Sequence, residues 1–212
     1  MKKRLVYSII LFLFSLSVAV TAVAAWFTPS AQYIDNIIIT AGTVDAQARL
    51  FMIEDFNKDG VPDLVDSKPV YTLINSIDID NMIPQNVYSY KLDVKNTGKA
   101  MANLTVYFED IEEGLRDVLT YRSVVKNSEG ETIAGGMDKR IFSGQDIFAQ
   151  VNGIEGEAEE YQVSVYFYIE FETLENLKIL NPEVFGDKEN LDEYQNLSFN
   201  IGKIIVKMEQ AV

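Results

Sequence analysis

Between Asp55 and Asp66 the chain reads DFNKDGVPDLVD. Oxygen-bearing side chains fall at positions 1, 3, 5, 9 and 12 of that stretch: Asp55, Asn57, Asp59, Asp63 and Asp66. Position 6 is Gly60, where a calcium loop needs its sharp turn, and position 7 is Val61, which would offer its backbone carbonyl. Hard oxygen donors at this spacing suit Ca²⁺; Mg²⁺ demands a tighter octahedron. The competing reading is an acidic surface turn. Its weakness is electrostatic: four carboxylates within twelve residues repel one another, and Lys58 offsets only one of them. A bound Ca²⁺ would remove that repulsion and order the loop.

The departures from the EF-hand pattern are informative. Position 12 is Asp66 rather than Glu, Pro62 precedes Asp63, and no strong helical pattern flanks the loop. In these respects the stretch resembles the DxNxDGxPDxxD calcium loops of thrombospondin type 3 repeats. The role expected of the metal is structural, closing one connection between strands.

The rest of the composition restricts the chemistry further. The chain has 212 residues, no cysteine and no histidine. Disulfides, thiolate nucleophiles, the HExxH zinc motif and a Ser–His–Asp arrangement are all impossible. No phosphate-binding G-x-x-x-x-G-K-[ST] sequence occurs, and no carboxylate pair stands out for glycosidase chemistry. A formal net charge of −14 removes a basic nucleic-acid footprint and would be repelled by an anionic membrane surface.

The elements that must carry the loop read as strands. Residues 37–53 are β-branched and partly alternating, with a turn signal at Gly42. Residues 70–80 alternate apolar with polar, as a half-buried strand does. Residues 87–98 and 101–110 read as a hairpin across an Asn-x-Gly turn. Further strands are expected at 117–125, 131–136, 161–172 and 197–210. The alternating Tyr161, Val163, Val165 and Phe167 are expected to pack in a core. The run EGEAEE at 155–160 reads as a solvated loop. Residues 174–194 suit helix but are interrupted by Pro182 and Gly186. The expectation is an all-β, antiparallel, jelly-roll-like sandwich with a short helical insertion near the C-terminus. Asn-Leu-Thr at 103–105 and Asn-Leu-Ser at 196–198 fit the glycosylation sequon, in strand-like stretches.

At the N-terminus, Lys2, Lys3 and Arg4 precede an uncharged run from Leu5 to Phe27. Ala22-Val23-Ala24 has the small-x-small form that signal peptidases accept, so residues 1–24 read as a signal peptide, helical in its apolar part. The run is also long enough to span a bilayer, and an uncleaved anchor is the competing reading. The expected organisation is a signal peptide at 1–24, an N-terminal arm at 25–40 and a sandwich domain at 41–212 containing the calcium loop 55–66.

Three stretches resemble the TasA/camelysin family of secreted proteins. The signal end runs through Trp26 and Phe27 into Ala41-Gly42-Thr43-Val44-Asp45, which fills the place of the family's AGTLDL. Residues 81–109 look like its PGD…N.G segment, with Gln85 where the family has Gly after Pro84. Residues 191–210 look like its N.YQG…Q ending through Tyr194, Gln195 and Gln210, with Asn196 in place of Gly. The resemblance implies a jelly-roll β-sandwich, export through a SipW-type signal peptidase, and a place in the extracellular matrix or on the cell surface. It also implies self-association into fibres by donor-strand exchange, with the donor at about residues 26–40. The edge-strand physics is sound, because an open sheet edge is a template for an extended arm. The same run could equally be the first strand of its own domain. The metalloendopeptidase label attached to camelysins gains nothing here, since a histidine-free chain would have to build a zinc site from carboxylates alone. The expected function is therefore a non-enzymatic structural protein; the alternatives are that protease or a membrane-anchored binding module.

Overall fold

A computed structural model describes residues 30–34, 37–41, 44–80, 82–194 and 197–211. The signal peptide, the first residues of the arm and the Tyr194-Gln195-Asn196 end of the family resemblance lie wholly or partly outside these residues. Two sheets face each other. The first is ordered β1(Ser30–Ile34), β2(Ile37–Ala41), β15(Phe199–Gln210), β9(Ala102–Ile111), β13(Asp146–Ile154), with β7(Ile77–Ile79) also on β15. The second is ordered β11(Thr132–Ile133), β10(Leu119–Asn127), β14(Val163–Phe171), β8(Val87–Asn96), β3(Ala46–Ile53), β6(Tyr71–Ile74), with β12(Arg140–Ile141) also on β10. From β7 to β15 the long strands alternate between the sheets, so the chain wraps around its core as the jelly-roll-like expectation requires.

Period-two patterning creates this arrangement. In β14 the residues Val163, Val165, Phe167, Ile169 and Phe171 are all buried, while Ser164, Tyr166, Tyr168 and Glu170 point outward and are part-exposed. The core between the sheets is aromatic. Phe108 of β9 stacks on Phe148 of β13 with centroids 4.1 Å apart, and meets Phe167 of β14 and Tyr121 of β10 edge-on. Pairs of this kind contribute about 0.5–1.5 kcal/mol each beyond their buried area. The contacts to Phe167 and Tyr121 join strands of opposite sheets, so they hold the two layers in register.

The stretch 37–53, read with a turn signal at Gly42, is two strands in different sheets, β2 and β3; two other sequence expectations are corrected. The stretch 70–80 likewise divides into β6 in the second sheet and β7 in the first, breaking at Asn75-Ser76. The expected hairpin of 87–98 with 101–110 does not form: β8 pairs with β3 and β14, and β9 pairs with β13 and β15. Each strand buries one apolar face against the core from its own sheet, and the connection is built to change layer. Fully buried Asn96 donates its amide to the carbonyls of Ala100 (2.7 Å) and Ile154 (3.2 Å) and accepts from the Gly98 N–H (3.0 Å). The Thr97 and Gly98 N–H groups donate to the Asp45 carbonyl. A Cβ at Gly98 would stand 2.8 Å from the Asp45 nitrogen, so only glycine fits this corner.

The helical insertion lies between β14 and β15 as α2(Leu174–Leu180), α3(Pro182–Phe185) and a 3₁₀ turn at Asp192–Tyr194; α1(Glu113–Arg116) follows β9. Thr173 caps α2 by accepting from the Asn176 N–H, and Pro182 starts α3 where its missing N–H costs nothing. Leu177, Phe185 and Leu191 bury against the sandwich.

Candidate metal centre

The acidic loop connects the edge pair β3 and β6. Its neck is closed by backbone bonds, from Glu54 N–H to the Val70 carbonyl (3.0 Å) and from Asp63 N–H to the Glu54 carbonyl (2.9 Å). Within it, β4(Leu64–Val65) and β5(Lys68–Pro69) form a two-residue hairpin. Asp66 and Ser67 hold its turn at φ +52° and +63°, the pair of positive values a type I′ turn needs.

The other end of the loop is seated on β8. The Val87 N–H donates to the Lys58 carbonyl at 2.8 Å, and Asp59 bridges Val87 in parallel fashion. The turn that allows this runs through Lys58 (φ +57°) and Gly60 (φ +84°). Gly60 is required twice over: its φ is left-handed, and a Cβ there would stand 3.0 Å from Val87 Cγ1. The Lys58 ammonium lies over the Tyr88 ring, 5.0 Å from its centroid.

Four of the expected side-chain ligands belong to one hydrogen-bonded loop. Asp55 Oδ2 accepts from the Gly60 N–H at 2.8 Å, and Asp63 Oδ2 accepts from the Phe56 N–H at 2.6 Å. Asp59 accepts from the Val61 N–H (2.7 Å) and from the Asn57 amide (2.9 Å), while Asn57 Oδ1 receives a long bond from the Asp59 N–H (3.4 Å). The fifth, Asp66, stands in the hairpin turn and bonds to none of these groups. Val61, expected to ligate through its carbonyl, is in the same loop with its side chain in solvent.

One atom in the loop is out of place for a plain acidic turn. Asp55 is only 3 % exposed, and its Oδ1 is buried with no hydrogen-bond partner. A buried carboxylate oxygen left unpaired costs about 1–3 kcal/mol or more, and a cation at that oxygen would satisfy it. The donor set is all hard oxygen, which fits Ca²⁺ rather than a transition metal. Among the described residues no three carboxylates are already gathered around one point that could hold a metal ion. Binding would therefore require Asp59, Asp63 and Asp66 to turn toward Asp55.

A second polar cluster gives no sequence signal. Fully buried Glu172 accepts from the Lys139 ammonium (2.6 Å), the Asn176 amide (2.8 Å), the Thr173 N–H (3.0 Å) and the Thr120 hydroxyl (3.3 Å). Burial pushes its pKa up, but the bonds from Lys139, Asn176 and Thr173 outweigh this and hold it below the usual carboxylate range. Lys139 also pairs with Glu170 at 2.7 Å. Burial lowers the Lys139 pKa, and its two carboxylate partners more than restore it, leaving it raised. Both Glu172 oxygens are already engaged, so the cluster ties α2 and the 137–140 segment to β14 and is not a catalytic pair. Its members come from β10, β14, α2 and a loop. Only the Thr173 cap can be anticipated from sequence spacing.

No family model matches the chain, and no curated protein matches it. Two solved structures show weak similarity. The enzymatically active domain of bacteriophage CBA120 tailspike protein 4 shares 8 % identity at a TM-score of 0.31, covering 86 % of this chain and 19 % of that one. The chain thus spans about a fifth of the tailspike chain. AvmM, which catalyses macrocyclization in alchivemycin A biosynthesis, shares 12 % identity at a TM-score of 0.28, covering 87 % of this chain and 97 % of that one. Likenesses at this level carry no argument about fold or function.

Proposed function

We propose that this protein is an exported, non-enzymatic structural subunit of the cell surface or extracellular matrix. It self-associates into fibres by exchanging its N-terminal strand, and calcium orders its acidic loop. Asp55, Asn57, Asp59, Asp63 and Asp66 would hold the ion through side-chain oxygens and Val61 through its carbonyl. The metal's contribution is charge neutralisation and closure of the β3–β6 connection.

The observation that carries the assembly reading is the pairing of β2. It lies along β15 in parallel register, Ile37 opposite Ile204 through Ala41 opposite Met208, and is joined to the rest of its sheet through β15 alone, with β1 on its far side. An edge segment of this kind can be replaced by the same segment from a neighbouring copy with no change in the pairing it makes. The leader of residues 1–24, removed by a signal peptidase, would free the arm for that exchange.

The test uses the absence of native cysteine. Ile38 and Ile205 are register partners. The Ile38→Cys/Ile205→Cys double variant, assembled and then oxidised, should give a ladder of covalent oligomers on non-reducing gels, with fibres visible by electron microscopy. Persistent monomers at high concentration, with and without calcium, would refute assembly. Monomers with an internal disulfide would show that β2 is simply the first strand of its own domain. N-terminal sequencing of the exported protein checks cleavage after Ala24.

A further inference from the structure

The outward face of the second sheet collects cations and tyrosines in a chain that is otherwise strongly acidic. Register places Arg49, Asp93, Ser164 and Lys126 in one row across β3, β8, β14 and β10, with Arg122 beside Tyr168 further along β10. Arg122 lies over the Tyr168 ring at 4.1 Å, Lys126 over Tyr166 at 5.1 Å, and Arg49 over Tyr161 at 5.0 Å. Lys91 and Lys95 on the same face are already engaged, Lys91 with Asp93 at 2.9 Å and Lys95 with the Glu159 carbonyl at 3.0 Å. The side chains of Arg49, Arg122 and Lys126 are different. Among the described residues they have neither a carboxylate partner nor a hydrogen bond, although the chain holds 32 Asp and Glu. They rest on tyrosine rings, which orient them without neutralising them.

We propose that this face binds a carboxylated polysaccharide. Three strand spacings separate Arg49 from Lys126, and four residues separate Lys126 from Arg122, so the three charges lie on the order of 14 Å apart in both directions. Such a patch is far smaller than the ~800 Å² per partner that a stable protein interface buries, but it accommodates one extended polymer strand. Sparse cations match a polymer with one carboxylate per sugar ring better than a nucleic acid, whose charge density the net −14 of this protein would oppose. The tyrosines supply rigid, amphipathic surfaces for the apolar faces of sugar rings, and the guanidinium groups supply bidentate recognition of carboxylate.

The experiment is binding of polygalacturonate oligomers to the full chain by calorimetry, in chelator so that calcium bridging through the acidic loop is absent. Neutral dextran and single-stranded DNA are the comparison polymers. Binding is expected for polygalacturonate alone, weakening as salt rises. The Arg49→Gln/Arg122→Gln/Lys126→Gln variant should lose roughly tenfold or more in affinity, since three charge contacts at exposed and part-exposed surface positions together are worth about that. A variant of equal net charge, Lys68→Gln/Lys99→Gln/Lys178→Gln, should stay within about twofold of the parent, these lysines being exposed and off this face. Should the first variant fail to fold, the single changes Arg49→Gln and Lys126→Gln carry the same comparison. The proposal is overturned by absence of polygalacturonate binding, by equal binding of DNA or dextran, by equal weakening in both variants, or by a shift to dimer at the concentrations used in place of glycan binding.

Discussion

Asp55→Asn gives the sharpest test of the acidic loop, because its effect should change sign with calcium. In chelator the wild-type carboxylate has one oxygen on the Gly60 N–H and the other buried without a partner. The substituted amide keeps an acceptor for Gly60 and removes one of the loop's four repelling charges, so the variant should melt at the wild-type temperature or slightly above it. With calcium the order reverses. A ligand at about 100 times its Kd stabilises the folded state by about 2.7 kcal/mol. For a domain of this size each kcal/mol moves Tm by about 2–4 °C. The wild type should therefore gain roughly 5–11 °C from saturating calcium, whereas Asp55→Asn should gain only ~1–2 °C. The assay is thermal unfolding followed by circular dichroism, in chelator and across a calcium series. Equal wild-type Tm in chelator and in millimolar calcium would refute the metal-closed loop. A wild-type gain retained in full by Asp55→Asn would refute the assignment of Asp55 as a ligand.

Three further outcomes are expected. Glu172 is held below its unfolded-state pKa, so the stability it contributes is present above about pH 4.5 and is lost as pH falls through the folded value. Urea unfolding should find Glu172→Gln about 1–3 kcal/mol less stable than wild type at pH 7, with the difference closing as pH falls below the ordinary carboxylate range; a pH-independent difference would contradict this. Asn96→Leu should cost about 2–4 kcal/mol, since it takes the buried amide away from the Ala100 and Ile154 carbonyls and leaves the Gly98 N–H only its bond to the Asp45 carbonyl; a neutral result in the same assay would show that the corner does not fasten the layers. Phe108→Ala should cost about 3–5 kcal/mol by opening a cavity between the sheets, and a loss below about 1 kcal/mol would remove Phe108 from the centre of the core.

Strands with clean alternation are legible in the sequence. Residues 163–171 alternate and fold where expected; 199–210 also folds where expected, although its buried positions change phase at Gly202-Lys203. Strand β13 is not, because its two register shifts, between Ile147 and Ala149 and between Val151 and Ile154, disrupt the period-two pattern. The 70–80 stretch hides a change of sheet, since β6 and β7 show the same local alternation while pairing with strands of different layers. The β8–β9 hairpin fails for a related reason: Asn-x-Gly marks a turn, but whether the chain returns beside itself or crosses the core is decided by what the Asn amide binds. In the loop, spacing identifies the residues that share one hydrogen-bonded unit. It cannot foresee that Asp66 belongs to a tight hairpin turn, nor that one oxygen of Asp55 is buried alone. The Glu172 cluster is invisible because Thr120, Lys139 and Glu172 lie far apart along the chain.

The two edges of strand β15 are occupied differently. One of its edges is taken by β9 from Ile201 to Gln210, while the other is divided lengthwise: β7 runs antiparallel to it at Phe199–Ile201, and β2 runs parallel to it at Ile204–Met208. Two short neighbours share that edge, separated at Gly202-Lys203, and neither depends on the other for its hydrogen bonds. The molecule can therefore open like a door hung on one side. Releasing residues 37–41 uncovers one edge of β15 at Ile204–Met208, while β7 stays paired at Phe199–Ile201 and β9 stays paired from Ile201 to Gln210. Such an opening is local relative to global unfolding, because the pairings of β15 with β9 and β7 do not involve residues 37–41.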